Sequence, residues 1–375
     1  MNNQLAPTYQ YVFGYHFLLW YSVSNSYSVI DSNFKVLLDN YFQSNSQDAF
    51  FDTLNIEEIE TSKLDVIKTI KTYLEGCNIP NIPNKDKVQV LEYSNRKILK
   101  RYAYNGKTFQ IYFDSEFVKK LIHPPLAHLE TRDKTTTDLT FDIYLEGNNL
   151  HLFKNETFLN SYPKQDYHKL QGKFMFHLLC SIHDKEENNW IGTLHGSTIT
   201  NGISSILFVG KSGKGKSTLC TILATKGFNL VADDISPLAS TNLNIYSNPA
   251  AISTKSGSFS TLRTLVPNFD DLQAVEFNKS KGLIKYIPFK RPPNNHYPCN
   301  TIVLVNYKTD SKTDLKKISI VELLETLIPD SWLSPNPKHA KEFLDWLQTL
   351  TMYELTYSNI DSMTHKVNSL FNENV

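Results

Sequence analysis

Residues 210–217 read G-K-S-G-K-G-K-S, which satisfies the pattern G-x-x-x-x-G-K-[ST], and their flanks give the pattern its meaning. The loop leaves an apolar run, SILFV at 205–209, and enters a helical stretch beginning near Lys216 (KSTLCTILATKG). Strand, glycine loop and helix in that order predict an α/β fold with a phosphate-binding loop. Gly210, Gly213 and Gly215 let the backbone turn tightly and aim its N–H groups at phosphate oxygens. The helix N-terminus adds partial positive charge at the same place. Lys216 can reach the β- and γ-phosphates, and the Ser217 hydroxyl can ligate Mg²⁺. Ser212, Lys214 and Thr218 complete the expected nucleotide-binding set. The motif therefore calls for ATP and Mg²⁺ and leaves open what is done with them.

About 17 residues on, 227–234 read G-F-N-L-V-A-D-D, an apolar strand ending in two adjacent carboxylates. Strands of a parallel sheet point their C-terminal ends at one ligand crevice, so Asp233 and Asp234 are expected beside Mg²⁺ and the γ-phosphate. Phosphoryl transfer uses one carboxylate to hold the metal and a second to accept the proton of the attacking hydroxyl. The sequence does not fix the order of the two; the preferred one has Asp234 as metal ligand and Asp233 as base, with the reverse kept open. The competing reading is a capping aspartate after a strand, but two adjacent carboxylates there repel without a cation. Upstream, 193–196 read T-L-H-G; by itself His195 reads as a structural histidine.

The remaining sequence divides into three parts. Residues 11–30 alternate aromatic, aliphatic and polar side chains and predict a β-hairpin turning near Ser24–Ser26. Helical spacing follows at Phe34, Leu37, Leu38, Tyr41 and Phe42, and again at Leu64, Ile67, Ile70, Tyr73 and Leu74. A linker is expected at 78–87 (NIPNIPNKDK). The division is thus a small module at 1–80, a β-rich middle region at 88–165, and a P-loop domain at 166–375. In the middle region strands are predicted at 108–113 and 139–145. A helix predicted over 167–182 closes this region. In the last part strands are predicted at 193–199, 205–209, 229–232, 301–307 and 353–357, and helices at 320–328, 339–350 and 361–371.

Lys plus Arg balance Asp plus Glu at 38 each, which gives no reason to expect a nucleic-acid or membrane partner. The four cysteines form no C-x-x-C pair, so free and mostly buried thiols are expected. With no signal-peptide pattern at the N-terminus and no apolar run of ~18 residues, a cytoplasmic protein is expected.

These residues resemble the HPr kinase family, which joins a His-Gly strand, a G-x-x-G-x-G-K-[ST] loop and an L-V-A-D-D strand end at short spacing. Here those are His195-Gly196, Gly210 to Thr218, and Leu230 to Asp234. HPr kinase-related proteins further resemble this chain in a basic segment, here 251–259 (AISTKSGSF), and in the C-terminal pattern from TIVLVNY to YELTYSNIDS. The resemblance covers roughly residues 165–375. It implies that His195 faces the active site and that Asp233 and Asp234 are the metal ligand and catalytic base. It also implies that Lys255 stabilises the transferred phosphoryl group.

The glycine-rich signature that accompanies phosphorylase activity is not recognisable. The resemblance therefore extends neither to dephosphorylation nor to HPr as substrate, and a homo-oligomer is left open. Residues 10–77 resemble winged-helix, PqqD-like modules that bind leader peptides as an added strand. The expected function is an ATP-dependent kinase acting on a Ser or Thr hydroxyl of a peptide or protein, a ribosomally made precursor peptide among them. The alternatives are a kinase for a small hydroxyl metabolite such as free serine, and an ATP-binding regulator with little turnover.

Overall fold

The computed structural model describes residues 3–54, 60–81, 88–133, 137, 139–277 and 282–372. Most of the expected linker, 82–87, lies outside these.

The chain begins with β1 (Tyr9–Phe13), β2 (His16–Tyr21) and β3 (Ser26–Asp31), then α1 (Ser32–Gln43), α2 (Gln47–Asp52) and α3 (Glu60–Cys77). The turn predicted near Ser24–Ser26 joins β2 to β3, but a second one, at Gly14-Tyr15, precedes it. The expected hairpin is therefore a three-stranded antiparallel meander. Asp31 caps α1 by accepting from the Phe34 N–H at 2.8 Å.

Side chains alternate across β2, and both faces of the sheet are used. Leu19 and Tyr21 pack with the helices of this region, through Leu38, Tyr41, Ile70 and Leu74. Leu18 and Trp20 instead enter a core shared with Phe343, Leu344 and Leu347 of the C-terminal region. Tyr27 meets Phe343 edge-on with centroids 5.5 Å apart, and the Tyr11 hydroxyl donates to Asp345.

The middle region holds β4 (Ile98–Tyr104), β5 (Lys107–Phe113), α4 (Glu116–Ile122), β6 (Leu139–Glu146), β7 (Asn149–Lys154), β8 (Thr157–Pro163) and α5 (Tyr167–Ile182). Its five strands form one sheet in chain order, with β5 and β6 parallel and the other pairs antiparallel. Predicted strands 108–113 and 139–145 correspond to β5 and β6, and the predicted helix has the bounds of α5. Strands β4, β7 and β8 were missed because polar residues within them (Lys100, Arg101, His151, Asn160) blur the apolar signal. The helix closes this region as expected, although the division was drawn at 166: α5 packs Leu170, Phe174, Leu178 and Ile182 into this sheet's core.

The rest comprises β9 (Trp190–His195), β10 (Ser197–Thr200), β11 (Ser205–Val209), α6 (Lys216–Thr225), β12 (Asn229–Ala232), β13 (Ile235–Ala239), β14 (Asn244–Tyr246) and β15 (Ile252–Lys255). Then come α7 (Phe259–Arg263), β16 (Ala274–Glu276), β17 (Leu283–Ile287), β18 (His296–Tyr307), β19 (Asp314–Lys317), α8 (Ile320–Leu327), β20 (Trp332–Leu333), α9 (Pro337–Thr349), β21 (Thr351–Tyr357) and α10 (Ile360–Asn372). A ten-stranded mixed sheet carries the order β12-β10-β11-β18-β14-β13-β9-β20, with β21 beside β18 and β19 beside β21. Strands β15, β17 and β16 form a small antiparallel sheet.

Two expectations change. The strand predicted at 193–199 is two strands broken at Gly196: β9 joins β13 and β20, while β10 joins β11 and β12. A Cβ at Gly196 would sit 2.7 Å from the Phe208 carbonyl oxygen, so only glycine allows this crossing. Also, β11 and β12 are not neighbours. Antiparallel β10 lies between them, so β11 and β12 run parallel to each other one strand apart and still end at the same edge. True parallel neighbours of this kind are β11–β18 and β18–β21.

All four cysteines are free, with Cys180, Cys220 and Cys299 buried and Cys77 half-buried. Among the described residues no helix is long and apolar enough to cross a membrane.

Candidate active site

The C-terminal edge of β11 carries the glycine loop. Gly213 and Gly215 adopt φ of +85° and +91°, the left-handed region that glycine enters without strain. Gly215 is the N-cap of α6 and offers no side chain to its first turn, so the N–H groups around Lys216, Ser217 and Thr218 are left for an incoming acceptor.

Lys216 is buried at 9 % exposure, and its Nζ donates to the Gly210 carbonyl at 2.5 Å. Burial pushes its pKa down, against the pull of Asp234, Asp233 and Asp330. Ser212 and Lys214 lie exposed on the loop, Lys214 donating to Asn306 Oδ1 at 3.3 Å, while Thr218 is half-buried in the first turn of α6.

The two aspartates occupy different environments. Asp233, 2 % exposed, follows directly on β12 and accepts four hydrogen bonds. Ser197 Oγ and Ser217 Oγ donate to its Oδ1 at 2.6 and 2.9 Å; the Ser253 N–H and Oγ donate to Oδ2 at 2.9 and 3.3 Å. Burial raises its pKa and the negative charge of Asp234 adds to that, with the serine contacts opposing.

Asp234 has φ +65°, and the Ile235 N–H donates to the Asp233 carbonyl at 2.7 Å, so the backbone makes a tight kink there before running on as β13 in the same sense as β12. This kink is why adjacent residues can both face the crevice, which successive residues of an unbroken strand could not do. The Asp234 carboxylate is 67 % exposed and lies 3.4 Å from His195 Nδ1. His195 ends β9, where Ile235 is its ladder partner and its own N–H donates to Ser331 Oγ at 2.9 Å.

Lys255 ends β15 and its Nζ donates to Ser212 Oγ at 3.1 Å, which brings the basic segment onto the loop. Ser253 sits two residues earlier on the same strand and therefore on the same face. Tyr286 is directly opposite Ser253 on β17, and burial together with Asp234 and Asp233 pushes its phenol pKa up.

The structure thus gathers Gly210, Ser212, Gly213, Lys214, Gly215, Lys216, Ser217, Thr218, His195, Asp233, Asp234 and Lys255 at one sheet edge. Sequence reading missed Ser197, Ser253, Tyr286 and Asp330. Ser253 was recoverable from its two-residue offset to Lys255. The others come from segments whose proximity only the sheet order creates.

No family model matches the chain, and no curated protein matches it. Among solved structures it is similar to the HPr(Ser) kinase/phosphatase from Coxiella burnetii, at 11 % identity and a TM-score of 0.23, over 48 % of this chain and 95 % of that one. A likeness that faint carries no functional weight; the side chains at the ends of β11 and β12 do.

Proposed function

We propose that this protein binds ATP with Mg²⁺ and transfers the γ-phosphate to a hydroxyl group. The observation that carries the reading is the 2.9 Å hydrogen bond from Ser217, the hydroxyl at the start of α6, to the buried carboxylate of Asp233. That pair places two hard oxygen donors next to uncapped helix N–H groups and a buried ammonium, the chemistry a phosphate-bound Mg²⁺ requires. Among the described residues no three His, Cys, Asp or Glu side chains gather to hold a metal unaided. A cation at Ser217 and Asp233 would draw its other ligands from phosphate and water, as Mg²⁺ ordinarily does.

When bound, ATP supplies the phosphoryl group and Mg²⁺ neutralises charge on its phosphates. The residues of the chain do the rest. The glycine loop and Lys216 hold the phosphates, and Lys255 adds a second positive charge over the loop. The exposed Asp234 carboxylate accepts the proton of the attacking hydroxyl, with His195 fixing its orientation. In this reading Asp233 holds the metal and Asp234 is the base.

The open setting of Asp234 supports an acceptor carried on a peptide or protein over a metabolite in a closed pocket. The N-terminal meander adds support, since β1 and β3 are its edge strands and strand addition is a common way to capture a peptide.

Lys216→Ala tests the nucleotide part. Loss of a charged hydrogen-bond donor costs roughly 10- to 100-fold in affinity. Calorimetry with ATP and Mg²⁺ is expected to show that loss with the melting temperature preserved. Unchanged affinity would place the nucleotide elsewhere.

A further inference from the structure

The strand carrying the loop divides the crevice. On one flank lie Asp233 after β12 and Ser253 and Lys255 on β15. That flank is covered by the middle region: the Ala251 N–H donates to the Pro125 carbonyl at 2.8 Å, and Ile235, Ala250 and Phe277 pack against the core of the five-stranded sheet. On the other flank β18 and β21 run parallel to β11, so their ends, Tyr307 and Tyr357, finish at the same edge as the loop.

Tyr307 is 45 % exposed although it lies against the loop. Its N–H donates to the Lys214 carbonyl at 3.3 Å. A Cβ added to Gly215 would stand 3.3 Å from Tyr307 Cβ. The Tyr307 ring meets Tyr357 edge-on, with centroids 5.4 Å apart and planes at 69°, an arrangement that holds it in place and leaves part of it bare. Beyond it Lys308, Thr309 and Asp310 are exposed, so this flank is open.

A nucleoside triphosphate whose terminal phosphate lies beside Asp233 and Asp234 must lead its nucleoside away from the covered flank. The open flank beyond the loop presents Tyr307, and an exposed, immobilised aromatic face is a surface on which a base stacks. Resting on the phosphate-loop reading, we propose that Tyr307 is the stacking platform for a purine base of the bound nucleotide.

The test is calorimetry of the full chain with two Mg²⁺-loaded ligands, ATP and inorganic tripolyphosphate, the second having phosphates and no base. Tyr307→Ala and Tyr307→Leu are expected to weaken ATP by about 5- to 100-fold, the usual worth of one stacked base. Tripolyphosphate affinity stays unchanged, and Tyr307→Phe retains both. The leucine variant keeps apolar contact with Gly215 and Tyr357, so it separates loss of the ring face from loss of support for the loop. Unchanged ATP affinity in both variants would overturn the platform while leaving the phosphate site standing. Equal weakening of both ligands would also overturn it, showing that Tyr307 acts on the loop. Failure of the wild type to bind either ligand would remove the phosphate-loop reading itself, and the platform with it.

Discussion

Asp233→Asn is expected to lower Mg²⁺-dependent turnover by roughly 10²–10³-fold and, in the same protein, to raise the melting temperature of the nucleotide-free form. The first effect follows from charge. Asparagine keeps an oxygen for Ser217, Ser197 or Ser253 but offers a cation no negative charge. The second effect follows from burial. Asp233 is 2 % exposed and its pKa is raised, chiefly by desolvation and then by Asp234. The folded chain therefore holds this proton more tightly than the unfolded chain does. Through the window from the ordinary carboxylate value up to the raised one, this group's contribution to stability falls as pH rises. At neutral pH the buried charge is a net cost, which asparagine removes. Thermal melts of both proteins with and without Mg²⁺ and ATP check this: the wild type should gain far more from the ligands than the variant. A variant that melts lower, and that keeps the Mg²⁺ dependence of the wild type, would remove Asp233 from the metal site.

Asp234→Asn is expected to behave differently. Its carboxylate is exposed and holds no part of the core, so the fold and the affinity for ATP with Mg²⁺ stay close to wild type. Loss of a positioned general base lowers kcat by roughly 10²–10⁴-fold. Single-turnover kinetics with Mg²⁺ titration separates the two aspartates. Should Asp234→Asn lose metal dependence while Asp233→Asn keeps it, the two roles are reversed.

Legibility in the sequence followed the range of the interactions. The order β11, glycine loop, α6, β12 could be read directly, because each element is specified by residues within itself: an apolar run, glycines at turning points, a helix without breakers. The bounds of α5 were legible for the same reason. Both aspartates were placed at a strand end, and the constraint that the strand must stop before Asp233 is met by β12 ending at Ala232.

What escaped was set by distant partners. The break at Gly196 falls where the chain passes so close to β11 that a Cβ would stand 2.7 Å from the Phe208 carbonyl oxygen, an approach that no local pattern encodes. The insertion of β10 between β11 and β12 has the same origin. So does the difference between the aspartates: Asp233 is buried by Ser197, Ser217 and Ser253, which lie 36, 16 and 20 residues away. Sequence pattern also gave no sign that Trp20, in a strand read as part of a separate hairpin, would pack on α9.

The central claim is transfer of a phosphoryl group from ATP, and it has a readout that does not wait for the natural acceptor. Wild type and Asp234→Asn are incubated with γ-labelled ATP and Mg²⁺, with and without a pool of Ser- and Thr-containing peptides. ADP release and peptide mass are followed together. A phosphotransferase gives slow Mg²⁺-dependent ADP release by the wild type with water as acceptor, faster release with the peptides, a mass gain of one phosphate on some of them, and neither signal from the variant. ATP that binds without any ADP or labelled peptide appearing would contradict it, and would leave a nucleotide-binding regulator in its place.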